Sequence, residues 1–292
     1  MKRESISEAV KSGKILCADG AWGTSLMEKG LKIGECSAYW CLTRPDDVMD
    51  VAKSYIAAGA DMIQTNSFSG SRINLKRFGL EDKAWDINEA AARISRMAAG
   101  EKAWVMASVG PVGKFDDTKH IDAEELYEAF KEQAMALEKG GADAICIETM
   151  MSINEATTAI KAAKENTDLE IICTFAFVPD GKIGFKTLAG ELLVDACVAV
   201  MKAGAHIIGA NCCSNIGDMV DITKIIHTTL CHTPIIIQAN AGLPGTAAYP
   251  LSPEIMAEIV PQLINAGANI IGGCCGTTPA HIKAIKRAID TN

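Results

Sequence analysis

Two pairs of adjacent cysteines are the residues of this sequence best suited to chemistry. Cys212-Cys213 and Cys274-Cys275 are four of eleven cysteines in a chain of 292 residues. Neighbouring cysteines seldom form a relaxed disulfide with each other, and an odd total is not the framework of a small secreted disulfide scaffold. The pairs therefore indicate metal or thiol chemistry, and we expect the thiols to be reduced.

Two acidic residues, Asp19 and Glu148, follow short apolar runs directly. Burying such a charge is costly unless it meets a cation, and the ammonium group of a substrate would serve. The alternatives are a local turn made by Asp19 with Gly20, and a helix N-terminal charge at Glu148. The turn over residues 20–24 offers backbone N–H groups that could bind a carboxylate. Together these features indicate a pocket for an amino acid.

The elements that must position these residues repeat along the chain. Four segments contain a Gly-Ala step followed by four to six apolar residues: 58–65, 140–148, 203–210 and 266–273. A glycine after an amphipathic stretch ends a helix, and a continuous apolar run is typical of a buried parallel strand. Four more apolar runs lie at 15–18, 103–108, 170–176 and 234–239, and helical periodicity is clear at 46–58 and 123–139.

Eight strands that alternate with helices predict an α/β protein, a (β/α)8 TIM barrel that forms a single domain over residues 1–292. An open doubly wound sheet is the alternative. Active sites of such barrels lie at the carboxyl ends of the strands. Cys212 follows the sixth strand, and Cys274 and Cys275 follow the eighth, so the barrel would bring three thiols to one rim.

Three thiolates with one open position are typical of a catalytic Zn²⁺ site. We favour Cys212 over Cys213, because one residue of a vicinal pair usually points away from the site. A lone cysteine is more often a core residue, and we expect that role for four others. They are Cys17, Cys146, Cys173 and Cys197.

Composition excludes several partners. The 28 basic and 36 acidic residues give a formal charge of −8, which argues against nucleic acid or an anionic membrane as partner. The start of the chain has no secretory signal and no apolar run is long enough to span a membrane, so we expect a cytoplasmic protein.

A phosphate site in the turn after Gly272-Gly273 is a competing hypothesis. Two thiolates would repel a phosphate there, and the loop has no Lys or Arg.

Five motifs together resemble the zinc- and homocysteine-dependent S-methyltransferase family, most closely the homocysteine-binding module of cobalamin-dependent methionine synthase. The resemblance covers essentially the whole chain, and the paired-cysteine loop with the upstream Asn-Cys is its most specific part. The motifs are Asp19-Gly20-Ala21-Trp22-Gly23-Thr24, Gln64-Thr65-Asn66-Ser67-Phe68, Gly209-Ala210-Asn211-Cys212, Asn240-Ala241-Gly242 and Gly272-Gly273-Cys274-Cys275-Gly276-Thr277-Thr278-Pro279.

The resemblance implies a role for each matching residue. Cys212, Cys274 and Cys275 would hold zinc, and Asp19 and Glu148 would bind the amino group of homocysteine. The remaining residues implied are Gly20, Ala21 and Thr65, whose backbone would bind the carboxylate, and Asn240, which would lie beside the metal. The thiol of homocysteine would become the fourth zinc ligand and attack an activated methyl group, giving methionine.

The resemblance leaves the methyl donor open. Methylcobalamin, a sulfonium or a quaternary ammonium compound would each carry a suitable leaving group. The chain ends 17 residues after Cys275, so we expect a methylated corrinoid to arrive on a separate protein. Residues 150–152, 175–180 and 186–191 depart from the family pattern, which keeps a different thiol acceptor as an alternative. Another is a non-catalytic module that binds a corrinoid protein.

Overall fold

The computed structural model describes residues 4–112, 121–181, 184–213, 215–242 and 251–292. Eight parallel strands form one sheet in the order β1-β10-β9-β8-β5-β4-β3-β2. A bridge between Ala18 and Met62 joins the two ends, which closes the barrel and confirms the predicted (β/α)8 architecture. The strands are β1 Leu16–Cys17, β2 Met62–Gln64, β3 Trp104–Val109, β4 Ala144–Met150, β5 Glu170–Phe175, β8 Ile207–Asn211, β9 Ile235–Ala239 and β10 Ile270–Gly273.

Helices surround the sheet, and the two long ones chosen from periodicity are found within one residue of the predicted bounds. None of the helices in the described ranges is long and apolar enough to cross a membrane. The helices are α1 Ile6–Lys11, α2 Trp22–Glu28, α3 Trp40–Thr43, α4 Pro45–Ala58, α5 Arg72–Lys76, α6 Ala84–Ala99, α7 Ala123–Lys139, α8 Ile153–Asn166, α9 Leu193–Ala203, α10 Ile216–Thr229, α11 Pro253–Glu258, α12 Val260–Ala266 and α13 Pro279–Asp290.

Among the elements that the sequence pattern does not predict are a hairpin at one end of the barrel and a short helix at the other. A small antiparallel hairpin, β6 Val178–Pro179 and β7 Phe185–Lys186, stands on the rim after β5. The short helix α1 packs its apolar side chains against the inward residues at the amino ends of the strands, and thereby closes that end of the barrel. The carboxylate of Glu170 accepts from the backbone N–H groups of Ile6 and Ser7, at 2.8 and 2.9 Å, which fixes the start of α1.

The four Gly-Ala repeats share one local structure. Each repeat glycine has a positive φ, between 97° and 122°, as expected for a residue that ends a helix. The polar residue two positions later accepts a hydrogen bond from a backbone N–H at the start of the preceding strand of the barrel. The side chains of Asp61, Asp143, His206 and Asn269 accept from the backbone N–H groups of Cys17, Val105, Ile171 and Ile235, respectively.

This repeated hydrogen bond sets the register of neighbouring strands at the amino end of the barrel. The donors lie where a strand begins, so no ladder partner would otherwise satisfy them. Three residue types, Asp, His and Asn, fill the four positions because the geometry requires only a hydrogen-bond acceptor. The repeat therefore stabilises the fold at the amino end of the barrel and does not restrict the residue types at the carboxyl end.

We expect the Asp143→Ala variant to lose about 1–3 kcal/mol of unfolding free energy, because the N–H of Val105 and the guanidinium of Arg96 both lose their acceptor. Chemical denaturation at neutral pH measures this loss. The control is Asp221→Ala, which removes an exposed ion pair with Lys224 and should change stability by less than about 0.5 kcal/mol. Equal losses in the two variants would contradict the role assigned to the repeated hydrogen bond.

Candidate metal and substrate site

Three thiols meet at the carboxyl end of the barrel. Cys212 directly follows β8, and Cys274 and Cys275 directly follow β10. The Sγ atom of Cys212 lies 3.4 Å from that of Cys275 and 3.2 Å from that of Cys274. Within the described ranges this is the one cluster of three or more potential metal-ligating side chains. The fold thus brings together residues that are about 60 positions apart, as the strand count predicts.

The three sulfur atoms fit a zinc ion. In tetrahedral coordination with Zn–S bonds of about 2.3 Å, sulfur ligands lie about 3.8 Å apart, so the thiols need to separate by only a few tenths of an ångström. Hydrogen bonds from the thiols of Cys212 and Cys274 lower the pKa of Cys275, while the pKa values of Cys212 and Cys274 are raised, so Cys275 is the most acidic thiol of the three. All three residues line one cavity, so a molecule in the cavity would have access to a metal held by them.

Cys213 takes no part in this cluster. Its side chain is buried, and its sulfur accepts a hydrogen bond from the backbone N–H of Phe177 at 3.4 Å. Cys212 and Cys213 therefore point in different directions. The backbone of Cys212 has a φ of 59°, an unfavourable conformation for a residue with a side chain, and this turn directs its sulfur toward the other two.

The loop that carries Cys274 and Cys275 packs against the loop after β1. The hydroxyl of Thr277 donates to the carbonyl of Cys274 at 2.7 Å and accepts from the N–H of Ala21 at 3.0 Å. A Cβ atom at Gly20 would lie 2.6 Å from that hydroxyl, so glycine is required there for the two loops to meet. The N–H of Ala21 is consequently already bonded within the protein.

Three backbone N–H groups of the cysteine loop are bonded within the protein and are not available to a phosphate. The N–H groups of Gly273, Cys274 and Thr277 donate to the carbonyls of Asp19, Ala239 and Cys274, respectively. A phosphate cradle requires such groups to point freely at the ligand. The loop geometry thus supports the metal interpretation of this turn over the phosphate alternative.

Asp19 is completely buried behind the cavity. One carboxylate oxygen, Oδ2, accepts from the backbone N–H of Gln64 at 2.7 Å and from the indole N–H of Trp22 at 2.8 Å. The other oxygen, Oδ1, has no hydrogen-bond partner among the described residues. Burial raises the pKa of Asp19 to about 7, because the charged form loses its hydration. Such an unpaired oxygen can accept a donor from a bound molecule.

Glu148 lies at the end of β4 and forms part of the cavity wall. Its oxygen Oε1 accepts a short hydrogen bond from the hydroxyl of Ser108. Burial raises the pKa of Glu148 to about 7 as well, and its charge contributes to the raised pKa of Asp19. Because both carboxyl groups are buried and Glu148 disfavours the ionisation of Asp19, a cation beside them would stabilise their charged forms.

The cavity has a volume of about 330 Å³, and its wall includes four of the six residues predicted to bind substrate. They are Gly20, Ala21, Thr65 and Glu148. Asp19 lies behind this wall. Asn240 is not part of the wall either, and its Nδ2 donates to the carbonyl of Cys213 at 3.2 Å. The nearby residue that does line the cavity is Gln238.

A layer of inward polar side chains forms the floor of the site. Five of its residues lie two positions after an inward apolar residue of the same strand, and the sixth, Asn211, lies two positions after Gly209. Of the six, only Glu148 was predicted to bind substrate. The layer comprises Gln64, Ser108, Glu148, Thr174, Asn211 and Gln238, all at most 7% exposed. The available signal was the phase of the strand: a polar residue at the buried, inward position next to its carboxyl end.

Comparison with known proteins supports the fold and identifies the family. A family model described as homocysteine S-methyltransferase matches residues 16–289. The methionine synthase of Mycobacterium tuberculosis is 31% identical over 301 residues, which cover 96% of this chain and 25% of that protein. The methionine synthase of Mycobacterium leprae is 30% identical over 297 residues, which cover 94% and 24%. This chain therefore spans about a quarter of the length of these two relatives.

Among solved structures, the homocysteine methyltransferase MmuM from Escherichia coli in its metallated form has a TM-score of 0.79. The match covers 94% of this chain and 96% of that one at 24% identity, and it supports the fold. The family model extends from the first strand to the last helix and includes the three clustered thiols and both buried acids. The chain belongs to the homocysteine S-methyltransferase family.

Proposed function

We propose that this barrel transfers a methyl group to the thiol of homocysteine, with a zinc ion held by Cys212, Cys274 and Cys275. The observation that carries the proposal is that the thiol cluster and Glu148 line one cavity, with Asp19 directly behind it. Homocysteine presents a thiol and an ammonium group a few bonds apart. A single small cavity with a metal-ligating end and an acidic end matches this pair of groups.

The chemistry that zinc supplies when bound is a lower pKa for the thiol of the substrate, so that a thiolate is available at neutral pH. The protein side chains do the remaining work. They hold the amino acid at a fixed distance and angle from the ligand cluster, and they keep water away from the reacting sulfur. The sulfur then displaces the leaving group of a methyl donor.

Asp19 and Glu148 bind the ammonium group in this proposal. Both carboxyl groups are buried, and the raised pKa of each reflects the cost of holding a charge there. An ammonium ion removes that cost and pairs with the free oxygen of Asp19. A thiol that lacks the amino group leaves the cost in place, so the acids select for an amino acid.

The backbone near Gly20 and Thr65 is proposed to bind the carboxylate of the substrate. Both residues line the cavity beside the acids. Ala21 contributes through its position in the wall, since its N–H is bonded to Thr277. The prediction that Asn240 lies beside the metal remains, although Gln238 is now an additional candidate for that neighbourhood because its buried Oε1 has no partner among the described residues.

The methyl donor is proposed to be a small sulfonium or quaternary ammonium compound, or a methylated corrinoid carried on a separate protein. Each supplies a good leaving group to an attacking thiolate. The eleven cysteines are all free thiols, which supports a reducing compartment such as the cytoplasm. The experiment that tests the function is methyl transfer from methylcobalamin, S-methylmethionine and betaine to homocysteine, measured in parallel with zinc content.

We expect Cys274→Ala to abolish zinc binding and methyl transfer together, because two thiols and water hold zinc much more weakly than three thiols. Metal analysis of the purified protein and a methionine assay measure the two losses. Cys213→Ala is the matched control, since the neighbouring thiol of Cys212 is intact and Cys213 packs elsewhere. It should retain one zinc per chain. Full activity in a metal-free Cys274→Ala protein would refute the proposal.

We expect Glu148→Gln to weaken homocysteine binding by about 100-fold, because one partner of a buried ion pair is lost. Binding of 4-mercaptobutanoate, which is homocysteine without its amino group, should change much less. Glu155→Gln is the control: Glu155 is equally buried but accepts from the N–H of Val112, away from the cavity. Isothermal titration of the zinc-loaded proteins measures both ligands. A similar loss for both ligands would contradict the ammonium role.

We expect the unfolding free energy of the ligand-free protein to rise as pH falls from about 8 to about 5. The pKa of Asp19 and of Glu148 is about 7 in the folded state, well above the ordinary value near 4 of the unfolded chain. The folded state therefore binds protons more tightly, and the destabilisation present above pH 7 disappears toward pH 4.

Denaturation at a series of pH values measures this dependence. The Asp19→Asn, Glu148→Gln double variant is the comparison, because it removes both titrating groups while leaving the thiols unchanged. Between pH 8 and pH 5, the unfolding free energy of the double variant should change by about 2–4 kcal/mol less than that of the original protein. Parallel profiles would show that these acids are not the source of the effect.

A further inference from the structure

The side chain of Asn211 connects the acidic and the thiol ends of the cavity. Asn211 is fully buried at the end of β8, and its amide makes hydrogen bonds in three directions. Oδ1 accepts from the backbone N–H of Thr149 at 2.9 Å and from the hydroxyl of Thr174 at 2.7 Å. Nδ2 donates to the hydroxyl of Thr149 at 2.7 Å and to the sulfur of Cys274 at 3.7 Å.

These partners fix the orientation of the amide. The backbone N–H of Thr149 can only donate, so it must face the oxygen of Asn211 and not the nitrogen. The nitrogen is then directed to the hydroxyl of Thr149 and to Cys274. The amide is therefore held in one arrangement, and it donates to one of the three clustered sulfur atoms.

Thr149 is held in a conformation that it would not adopt alone. Its φ is 59°, which is unfavourable for a β-branched residue, and it follows Glu148 directly. The pairing of β4 with β5 shifts register between Ile147 and Met150, so Glu148 and Thr149 lie in an irregular part of the strand. Asn211 bonds both the backbone and the side chain of Thr149, and thus stabilises the irregularity that positions Glu148.

We propose that Asn211 is a positioning residue that holds Glu148 and Cys274 in a fixed relation, so that the ammonium and the thiol of one substrate reach their partners together. This inference rests on the proposed function of the same cavity. Asn211 acts on the acid through Thr149 and on the sulfur directly. A hydrogen bond from an amide to a ligating thiolate also withdraws electron density from the sulfur.

The first test is Asn211→Ala in protein loaded with Co²⁺, whose thiolate charge-transfer absorption reports the sulfur ligands. We expect the Co²⁺ affinity to fall about 10-fold to 100-fold and the charge-transfer band to shift. We also expect the preference for homocysteine over 4-mercaptobutanoate to decrease, because Glu148 is no longer held. Both changes should occur in the same variant.

Asn88→Ala is the matched control. Asn88 is also fully buried, and its Nδ2 donates to the carbonyl of Ala84 on α6 and to that of Gly70 in the loop before α5, away from the thiols. Truncation there should lower stability without changing the Co²⁺ spectrum or the preference for the amino group. If Asn211→Ala behaved in the same way, Asn211 would have only a structural role and the inference would be wrong.

A second variant, Thr149→Gly, keeps the test valid if Asn211→Ala does not fold. Glycine adopts a positive φ without strain, so the thermal stability should be equal to or higher than that of the original protein. Amino-group preference should nevertheless decrease about 10-fold, since the hydroxyl bonded by Asn211 is gone. Unchanged preference in this stable variant would overturn the inference.

The original protein separates this inference from the function on which it rests. If the original protein bound neither Co²⁺ nor homocysteine, the proposed function would fail before any variant was compared. If it bound both, and Asn211→Ala and Thr149→Gly bound them with the same affinity and preference, only the role of Asn211 would be wrong.

Discussion

Five acidic groups share one end of the barrel interior, and none of the described residues around them is a Lys or Arg that would balance their charge. Three are thiols and two are carboxyl groups, and no Lys or Arg is among the described residues that line the cavity. Burying so many potential anions in a protein interior is unfavourable unless cations enter. The raised pKa of each carboxyl group is the direct sign of this constraint. The arrangement favours the entry of cations, in agreement with the proposed binding of a metal ion and an ammonium group.

The rest of the fold supplies the rigidity that this arrangement needs. Repulsion between like charges would separate them if their backbone could move, so each is attached to the end of a barrel strand. At the opposite end, the repeated hydrogen bonds of Asp61, Asp143, His206 and Asn269 fix where strands begin. Regular packing there permits irregular backbone at the rim, where the two non-glycine residues with positive φ in the described ranges, Thr149 and Cys212, are found.

The sequence was sufficient to predict the barrel because its signals are local and repeated. The Gly-Ala steps and the apolar runs each mark one helix end or one strand, and eight of them leave few alternative folds. The convergence of Cys212 with Cys274 and Cys275 followed from topology alone. The hairpin β6–β7 and the short helix α1 lack such repetition, and they are determined by contacts with distant residues, such as that of Glu170 with Ile6.

The floor of the cavity was harder to predict because its residues lie inside strands. Four of these residues belong to apolar runs in the sequence, although each occupies an inward position at the carboxyl end of its strand. They are Gln64, Ser108, Thr174 and Gln238. The role of Asn211 depends on the positive φ of Thr149, which no pattern of residue types reveals. The structure also limits one expectation, since the N–H of Ala21 is bonded to Thr277 and is not free for a carboxylate.

Charge balance explains why one small cavity can combine affinity with selectivity. In the proposed function, the ammonium group of the substrate neutralises the acids, and its thiol completes the metal-binding cluster. One carbon chain joins the ammonium group to the thiol, and the protein holds the acidic and thiol ends of the cavity apart. Each group therefore contributes its full binding free energy only when the other is bound as well. A molecule with only one of the groups leaves a buried charge without its partner, at a cost of several kcal/mol. Selection of the acceptor is therefore a consequence of the same constraint that makes the empty site unfavourable.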